Sequence, residues 1–332
     1  MSRLLSFSLI SLLISSCGKD KPLNGEIKLS LGEMLVIHPS DNLPNSERVE
    51  LGRYLFYNPA ISIDSTISCA TCHNPSKAFA QNESVSAGVG GRKGILNASS
   101  LSNIGNHPYF TVAGGVPTLE MQILVPIQEK HELNFNIVEL AKRLEADSFF
   151  TQQAEKSYLG RPYPYVISRS IAAFERTFVS TSSKFDKYLE GSSSLSPNER
   201  AGMKIFYGEK ANCSSCHGGI NFTNYAFESN GLVQLTKDSG RYRLTKQKED
   251  IGKYKVPSLR NLAYTFPYMH DGSIHSLSEV IDKYSSGIYL NDTKSPGIKA
   301  AKLSAKEKEY LLAFLNTLND ENFISNPNLK RK

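Results

Sequence analysis

Two short cysteine–histidine motifs limit what this chain can fold into more than any other feature. Each has the form Cys-x-x-Cys-His, and their first cysteines lie 144 residues apart. Two thiols at this spacing reach both vinyl groups of one porphyrin, and the next histidine presents its ring to the iron as proximal ligand. The motif residues are Cys69, Cys72 and His73 in the first, and Cys213, Cys216 and His217 in the second. We therefore predict two covalently attached haem c groups.

Other uses of a Cys-x-x-Cys pair explain the two motifs less well. Zinc sites and thiol redox chemistry both employ such a pair, yet each leaves the adjacent histidine unexplained twice. Chance gives only roughly 0.002 such five-residue matches in a chain of this composition. Four of the five cysteines are thus assigned to haem, and Cys17 lies in the N-terminal segment. No cysteine remains for a disulfide.

The N-terminal segment has the pattern of an export signal. Arg3 precedes a short apolar stretch at 4–14, and small residues then lead to Cys17. This ending resembles a bacterial lipobox, which predicts a signal peptide at 1–16 and lipidation of Cys17. An ordinary signal peptide with an incidental cysteine is the alternative. We expect a periplasmic protein that a lipid holds at a bacterial membrane, with residues 17–40 as a polar tether.

Composition excludes several classes of protein. A length of 332 residues suggests about two domains, and 40% hydrophobic with 21% charged residues is typical of a globular protein. No apolar run reaches the ~18 residues that a membrane-spanning helix needs. The net charge of +6 is mild and scattered, so nucleic acid is not an expected partner.

Helix signals outnumber strand signals, which predicts a mainly α fold. N-cap patterns start helices after Ser196, Ser276 and Ser304. A Ser/Gly-rich break separates two cytochrome c-like domains, which we place at 41–190 and 191–332, each wrapping one haem. No internal repeat is visible beyond the two haem motifs.

Several longer segments carry a resemblance to one family. They are residues 49–56, 67–75, 172–177, 185–189, 256–261 and 267–272. Together they resemble the di-haem cytochrome c peroxidases, including the MauG-type enzymes, over about residues 41–290. The resemblance implies that the N-terminal haem is the peroxide site and that the C-terminal haem relays electrons to it.

The resemblance also implies roles for individual side chains. Met269 matches the distal ligand of the C-terminal haem, and a His/Met-ligated iron suits electron transfer rather than peroxide binding. Gln122, Pro126 and Glu132 match the distal pocket of the N-terminal haem. There Glu132 would move a proton between the peroxide oxygens, and Gln122 would help order the pocket. Without the resemblance, Glu132 is typical of a surface carboxylate in a polar stretch.

Two positions differ from the family's usual pattern, and a third matches it. Val89 stands where many relatives have a distal histidine that blocks the peroxide site, which predicts an open N-terminal iron at rest. Val112 stands where the family has a tryptophan between the haems, and Tyr109 is a nearby aromatic candidate to replace it. Asn97 falls where the family holds a calcium ion between the domains, and oxygen ligands suit that cation. An ordinary turn residue is the alternative for Asn97.

These observations predict a cytochrome-c peroxidase that reduces hydrogen peroxide to water. Its electrons would come from a small cytochrome c, a cupredoxin or a quinol. Two alternatives stay open: a MauG-like enzyme that oxidises another protein, against which Met269 and the missing tryptophan argue, and a di-haem electron carrier without enzymatic activity. Relatives are often dimers, so a homodimer is compatible with the resemblance. We expect the final predicted helix, at 304–318, to pack back on the first domain.

Overall fold

A computed structural model describes residues 36–232, 238–288, 290 and 293–332. The predicted signal peptide, Cys17 and most of the 17–40 tether lie outside these residues. The described chain is mainly helical, as predicted. Its α-helices are α1 (Ser46–Tyr57), α2 (Cys69–Cys72), α3 (Leu119–Gln128), α4 (Ile137–Leu144), α5 (Ser148–Tyr158), α6 (Tyr163–Glu175), α7 (Lys184–Leu189), α8 (Pro197–Tyr207), α9 (Tyr242–Thr245), α10 (Leu277–Ser286), α11 (Ala305–Asn316) and α12 (Glu321–Ser325). Two short strands, β1 (Phe227–Glu228) and β2 (Tyr254–Lys255), pair antiparallel. No helix in this part of the chain is long and apolar enough to cross a membrane.

Helices begin where the sequence signals place them. Ser196 and Ser304 form complete capping boxes at the starts of α8 and α11. Ser276 accepts a hydrogen bond from the backbone N–H of Glu279 at the start of α10, which ends at the left-handed Gly287. These side chains satisfy backbone donors that the first helical turn leaves without partners.

The buried apolar side chains form two separate clusters, each next to one cysteine motif. The first cluster is contributed largely by α1 and α3 to α6, and Cys69 packs against it. The second comes from α7, α8, α10 and α11, and Cys213 packs against that one. Phenylalanines dominate both centres: Phe56, Phe174 and Phe178 in the first, and Phe185, Phe206 and Phe314 in the second.

Each cluster is built on a close crossing of two helices at a glycine. A Cβ on Gly52 in α1 would lie 1.8 Å from the carbonyl oxygen of Ser170 in α6. A Cβ on Gly202 in α8 would lie at the same distance from the carbonyl oxygen of Tyr310 in α11. Only glycine permits these approaches. The two crossings show that the two halves repeat one another beyond the haem motifs, which corrects the expectation of no further repeat.

The expected position of the final predicted helix is wrong. This helix, α11, packs along α8 and buries Leu311 and Phe314 in the second cluster, because its apolar stripe faces α8. The short α12 that follows makes the contact with the first cluster instead. Its Phe323 ring lies 5.7 Å from the Phe79 ring, centroid to centroid, and is buried.

Buried hydrogen bonds connect Asn103, Ser180, Asn261 and Asp320 in one network that spans the two halves of the chain. The side-chain amide of Asn103 donates to the carbonyl oxygen of Ser180 at 3.0 Å. The amide of Asn261 donates to the hydroxyl of Ser180 at 3.0 Å, and its oxygen accepts the backbone N–H of Asp320 at 2.8 Å. All four residues are buried, so each bond that is lost would leave an unsatisfied polar group.

Candidate functional site

One large cavity contains both cysteine motifs. It has a volume of about 1210 Å³, and all six motif residues line it. A pocket for one drug-sized ligand is roughly 300–1,000 Å³, so this cavity has room for more than one such group. The two motifs therefore face a shared interior rather than separate surfaces.

The first motif presents a histidine whose orientation is set by the backbone. Cys69 and Cys72 are the ends of α2, which starts with a capping box between Ser68 and Thr71. Nδ1 of His73 lies 2.8 Å from the carbonyl oxygen of Phe79, which leaves Nε2 for a metal. Burial lowers the pKa of His73, which favours the neutral imidazole that a metal requires.

The second motif repeats this arrangement. Nδ1 of His217 lies 3.1 Å from the carbonyl oxygen of Phe222, again leaving Nε2 for a metal. Burial raises the pKa of the Cys213 thiol to about 12 and lowers that of His217. The four motif cysteines form no disulfide among the described residues, and all of them line the cavity. Two thiol pairs, each with an oriented imidazole, fit two haem c groups.

Met269 lies on the cavity wall of the second half. Its backbone is left-handed, with φ of 76°, and its sulfur is 3.3 Å from Nδ2 of Asn230. The next residue, His270, stacks on Tyr254 with ring centroids 4.1 Å apart. The loop thus holds Met269 at the cavity, while its role as an iron ligand stays a prediction.

Glu132 lies in the cavity beside the first motif. Its side chain keeps some accessible surface, and it lines the cavity that contains Cys69 and Cys72. Burial among protein atoms and the charge of Glu129 raise the pKa of Glu132. The backbone N–H of Val89 donates to the carbonyl oxygen of Glu132 at 2.9 Å, and Val89 itself is buried. Glu132 thus lies near Cys69 and Cys72, while its role in proton transfer stays a prediction.

Gln122 projects from α3 and also lines the cavity. Its Oε1 atom is buried and has no hydrogen-bond partner among the described residues. A buried polar atom without a partner is uncommon and points to a group that would bind there. Gln122 and Glu132, ten positions apart in the chain, thus line the same cavity.

Asn97 also lines the cavity but shows no assembled metal site. Its Nδ2 donates to the carbonyl oxygens of Glu83 and Ser84 at 2.9 and 3.2 Å. The described residues contain no group of three or more His, Cys, Asp or Glu side chains that could hold a metal ion. A calcium ion at Asn97 would need backbone carbonyls, and it stays a prediction.

The structure adds two buried features that sequence reasoning missed. Glu175 at the end of α6 is 6% exposed, lines the cavity, and is close enough to raise the pKa of Cys69. Nζ of Lys255 lies 3.3 Å from Nδ1 of His107 and 3.1 Å from the carbonyl oxygen of Tyr109. Burial lowers the pKa of Lys255 to about 8. Burial and the nearby charge of Lys255 lower the pKa of His107 to about 3. The sequence signal for Glu175 is that it is a single acidic residue on an apolar helix face.

The segment around Val112 packs on the second half of the chain. Val112 accepts a hydrogen bond from the backbone N–H of Lys255 at 2.7 Å. Tyr109 stacks on Phe227 with centroids 5.1 Å apart. A Cβ on Gly114 would lie 2.6 Å from that Phe227 ring, so glycine permits the close packing. Tyr109 is therefore an aromatic contact between the two halves.

Comparison with known proteins decides the family. A family model for di-haem cytochrome c peroxidase matches residues 46–194. The methylamine utilization protein MauG of Methylorubrum extorquens is 32% identical over 86% of this chain and 82% of its own. The chain belongs to the di-haem cytochrome c peroxidase family. This membership confirms the family predicted from sequence and implies two haem c groups.

Other relatives of this di-haem protein are named either as peroxidases or as MauG-like proteins. Cytochrome-c peroxidase IdrP1 of Pseudomonas sp. is 31% identical over 84% of this chain and 83% of its own. The crystal structure of a MauG-like protein associated with microbial copper homeostasis superposes with a TM-score of 0.83 at 34% identity, covering 88% of this chain and 95% of that one. The diheme peroxidase BthA from Burkholderia thailandensis shares the fold, with a TM-score of 0.75 at 20% identity over 85% of this chain and 88% of its own.

Proposed function

We propose that this di-haem protein reduces hydrogen peroxide to water. Two electrons and two protons convert one peroxide molecule into two water molecules. The haems supply iron that accepts and passes on single electrons, received at the second motif and used at the first. The observation that carries the proposal is that Glu132 and Gln122 lie beside the first motif, while Met269 lies at the cavity wall of the second half.

Glu132 is the residue proposed to handle the proton. Its carboxylate would accept the proton from one peroxide oxygen and return it to the other, which then leaves as water. A raised pKa suits this role because a group that both accepts and donates works best near the ambient pH. Oε1 of Gln122, which has no partner among the described residues, would accept a hydrogen bond from the peroxide or from an ordered water.

The donor is proposed to be a small redox partner, a cytochrome c, a cupredoxin or a quinol. Residues 191–332 contain 20 Lys and Arg against 14 Asp and Glu, whereas residues 1–190 contain 18 of each. A positive second half would attract an acidic protein donor to the electron-receiving side. Lipidation of Cys17, a periplasmic location at a membrane, a calcium ion at Asn97 and a homodimer belong to the same proposal.

Rapid mixing tests the function directly. Haem-loaded protein that holds one electron on the second haem is mixed with hydrogen peroxide, and haem absorbance is followed. We expect fast oxidation of that haem, slowed about tenfold or more in Glu132→Gln. Glu139→Gln, a change at an exposed carboxylate on α4, should leave the rate unchanged. Absence of fast oxidation in the unaltered protein would overturn the peroxidase and favour the electron carrier.

A further inference from the structure

The chain repeats a segment that lines the cavity, and the two copies keep a constant register. Residues 97–123 correspond to residues 255–281, at a constant offset of 158 positions. Asn103 and Asn261 are equivalent in this register, and both have left-handed backbones, with φ of 56° and 64°. Each of them is the residue before a short 3₁₀ turn. Left-handed backbone is uncommon for residues other than glycine, so the match is not accidental.

The register continues through the following loop and into the next helix. Isolated antiparallel bridges close both loops at equivalent positions. They pair Phe110 with Val116 and Tyr268 with Ile274. Thr118 then caps α3 and Ser276 caps α10, each accepting the backbone N–H three residues later. The two segments are therefore copies of one structural unit.

The two copies contact each other reciprocally. The backbone N–H of Asn97 donates to the carbonyl oxygen of His270 at 2.7 Å. The backbone N–H of Lys255, its equivalent, donates to the carbonyl oxygen of Val112 at 2.7 Å. Val112 and His270 are themselves equivalent, so the start of each copy is bound to the loop of the other.

Thr111 occupies the position in the first copy that Met269 occupies in the second. Both residues have left-handed backbones, with φ of 61° and 76°, and both line the cavity. The Thr111 hydroxyl donates to the carbonyl oxygen of Gly114 at 2.7 Å. The side chains that ligate haem iron are those of His, Met, Cys and Tyr. The first loop thus keeps the geometry of a ligand-bearing loop but carries a short residue whose hydroxyl is engaged elsewhere.

We propose that Thr111 is the residue that leaves the sixth coordination position of the first haem free. This inference rests on the proposed function, in which the first haem receives peroxide and Met269 ligates the second. The buried Val89 supports it, because this position offers no ligand either. Thr111 would thereby decide which of two similar loops closes its iron and which leaves it open.

The spin state of the ferric haems tests this inference without any peroxide. Electron paramagnetic resonance and absorbance of the haem-loaded full chain should show one high-spin and one low-spin haem. Thr111→Met should convert the high-spin signal to low-spin, because the thioether then reaches the first iron. Thr111→Val, similar in size but unable to ligate, should keep the high-spin signal.

The reverse change keeps the test informative where Thr111→Met does not fold. Met269→Thr should make the second haem high-spin and allow it to bind added cyanide, so that two equivalents bind instead of one. Two low-spin haems in the unaltered protein, or a folded Thr111→Met that stays high-spin, would overturn the inference. A low-spin Thr111→Met in a protein whose unaltered form does not reduce peroxide would support the loop assignment and reject the peroxidase function.

Discussion

Arg260 and Asp186 form a bidentate ion pair inside the second half of the protein. Both guanidinium nitrogens lie 2.8 Å from a carboxylate oxygen, and both side chains are 1% exposed. Nε of Arg260 also donates to the carbonyl oxygen of Ile220 at 2.9 Å, three residues after His217. The pair thus connects α7 to the loop that follows the second motif. These bonds use three of the five N–H donors of Arg260, one on each guanidinium nitrogen.

Removing one charge of this pair should be costly. Asp186→Asn leaves the Arg260 guanidinium buried with less compensation, and we expect a loss of about 3–5 kcal/mol in the free energy of unfolding. Glu309→Gln breaks an exposed pair with Lys306 and should cost less than about 1 kcal/mol. Denaturant unfolding of the haem-loaded protein measures both. Equal losses for the two variants would contradict this account.

The two glycines at the helix crossings should not tolerate a methyl group. Gly52→Ala and Gly202→Ala each place Cβ 1.8 Å from a backbone oxygen, so α1 must separate from α6 or α8 from α11. We expect each to lower the free energy of unfolding by about 1–3 kcal/mol or more. Gly297→Ala, where an added Cβ meets nothing within 4 Å, is the control. Thermal unfolding that is unchanged in all three variants would show that the crossings are looser than described.

Glu175 should make the protein less stable as the pH rises. Burial raises its pKa from an ordinary 4.5 to about 8, so between these values the folded protein binds more protons than the unfolded chain. The free energy of unfolding therefore falls as pH rises from about 4.5 to 8. Glu175→Gln, which mimics the neutral acid, should gain at least about 1.4 kcal/mol more at pH 8 than at pH 5. Glu155→Gln on the exposed face of α5 should show no such difference, and a pH-independent effect of Glu175→Gln would rule out this titration.

The end of the chain should support the first domain. Phe323 is 3% exposed and packs with the first cluster. It does so although its helix, α12, follows α11, which belongs to the second cluster. Phe323→Ala should cost about 3–5 kcal/mol. Phe149→Ala, at a side chain 38% exposed, should cost much less. Hydrogen exchange would locate the loss, which we expect in α1 and α6, and a loss confined to α8 and α11 would contradict the assignment.

The haem motifs, the helix starts and the family could all be predicted from the sequence because each depends on neighbours in the chain. A Cys-x-x-Cys-His spacing is a local geometric requirement, and the capping serines act within one helical turn. The relation between Thr111 and Met269 was not visible in this way. Few side chains agree in the two copies, and the shared feature is a left-handed backbone.

Tertiary structure alone decided which distant residues share the cavity. Glu175 lies near Cys69 only because α6 packs across α1, and His107 meets Lys255 across 148 positions of chain. The packing of α11 depended on which of the two apolar clusters covers its apolar face. The hydrophobic pattern of a helix does not specify that partner. The sequence by itself determined what each segment can form and bind. Packing determined which segments meet, because contacts between distant segments depend on the whole fold.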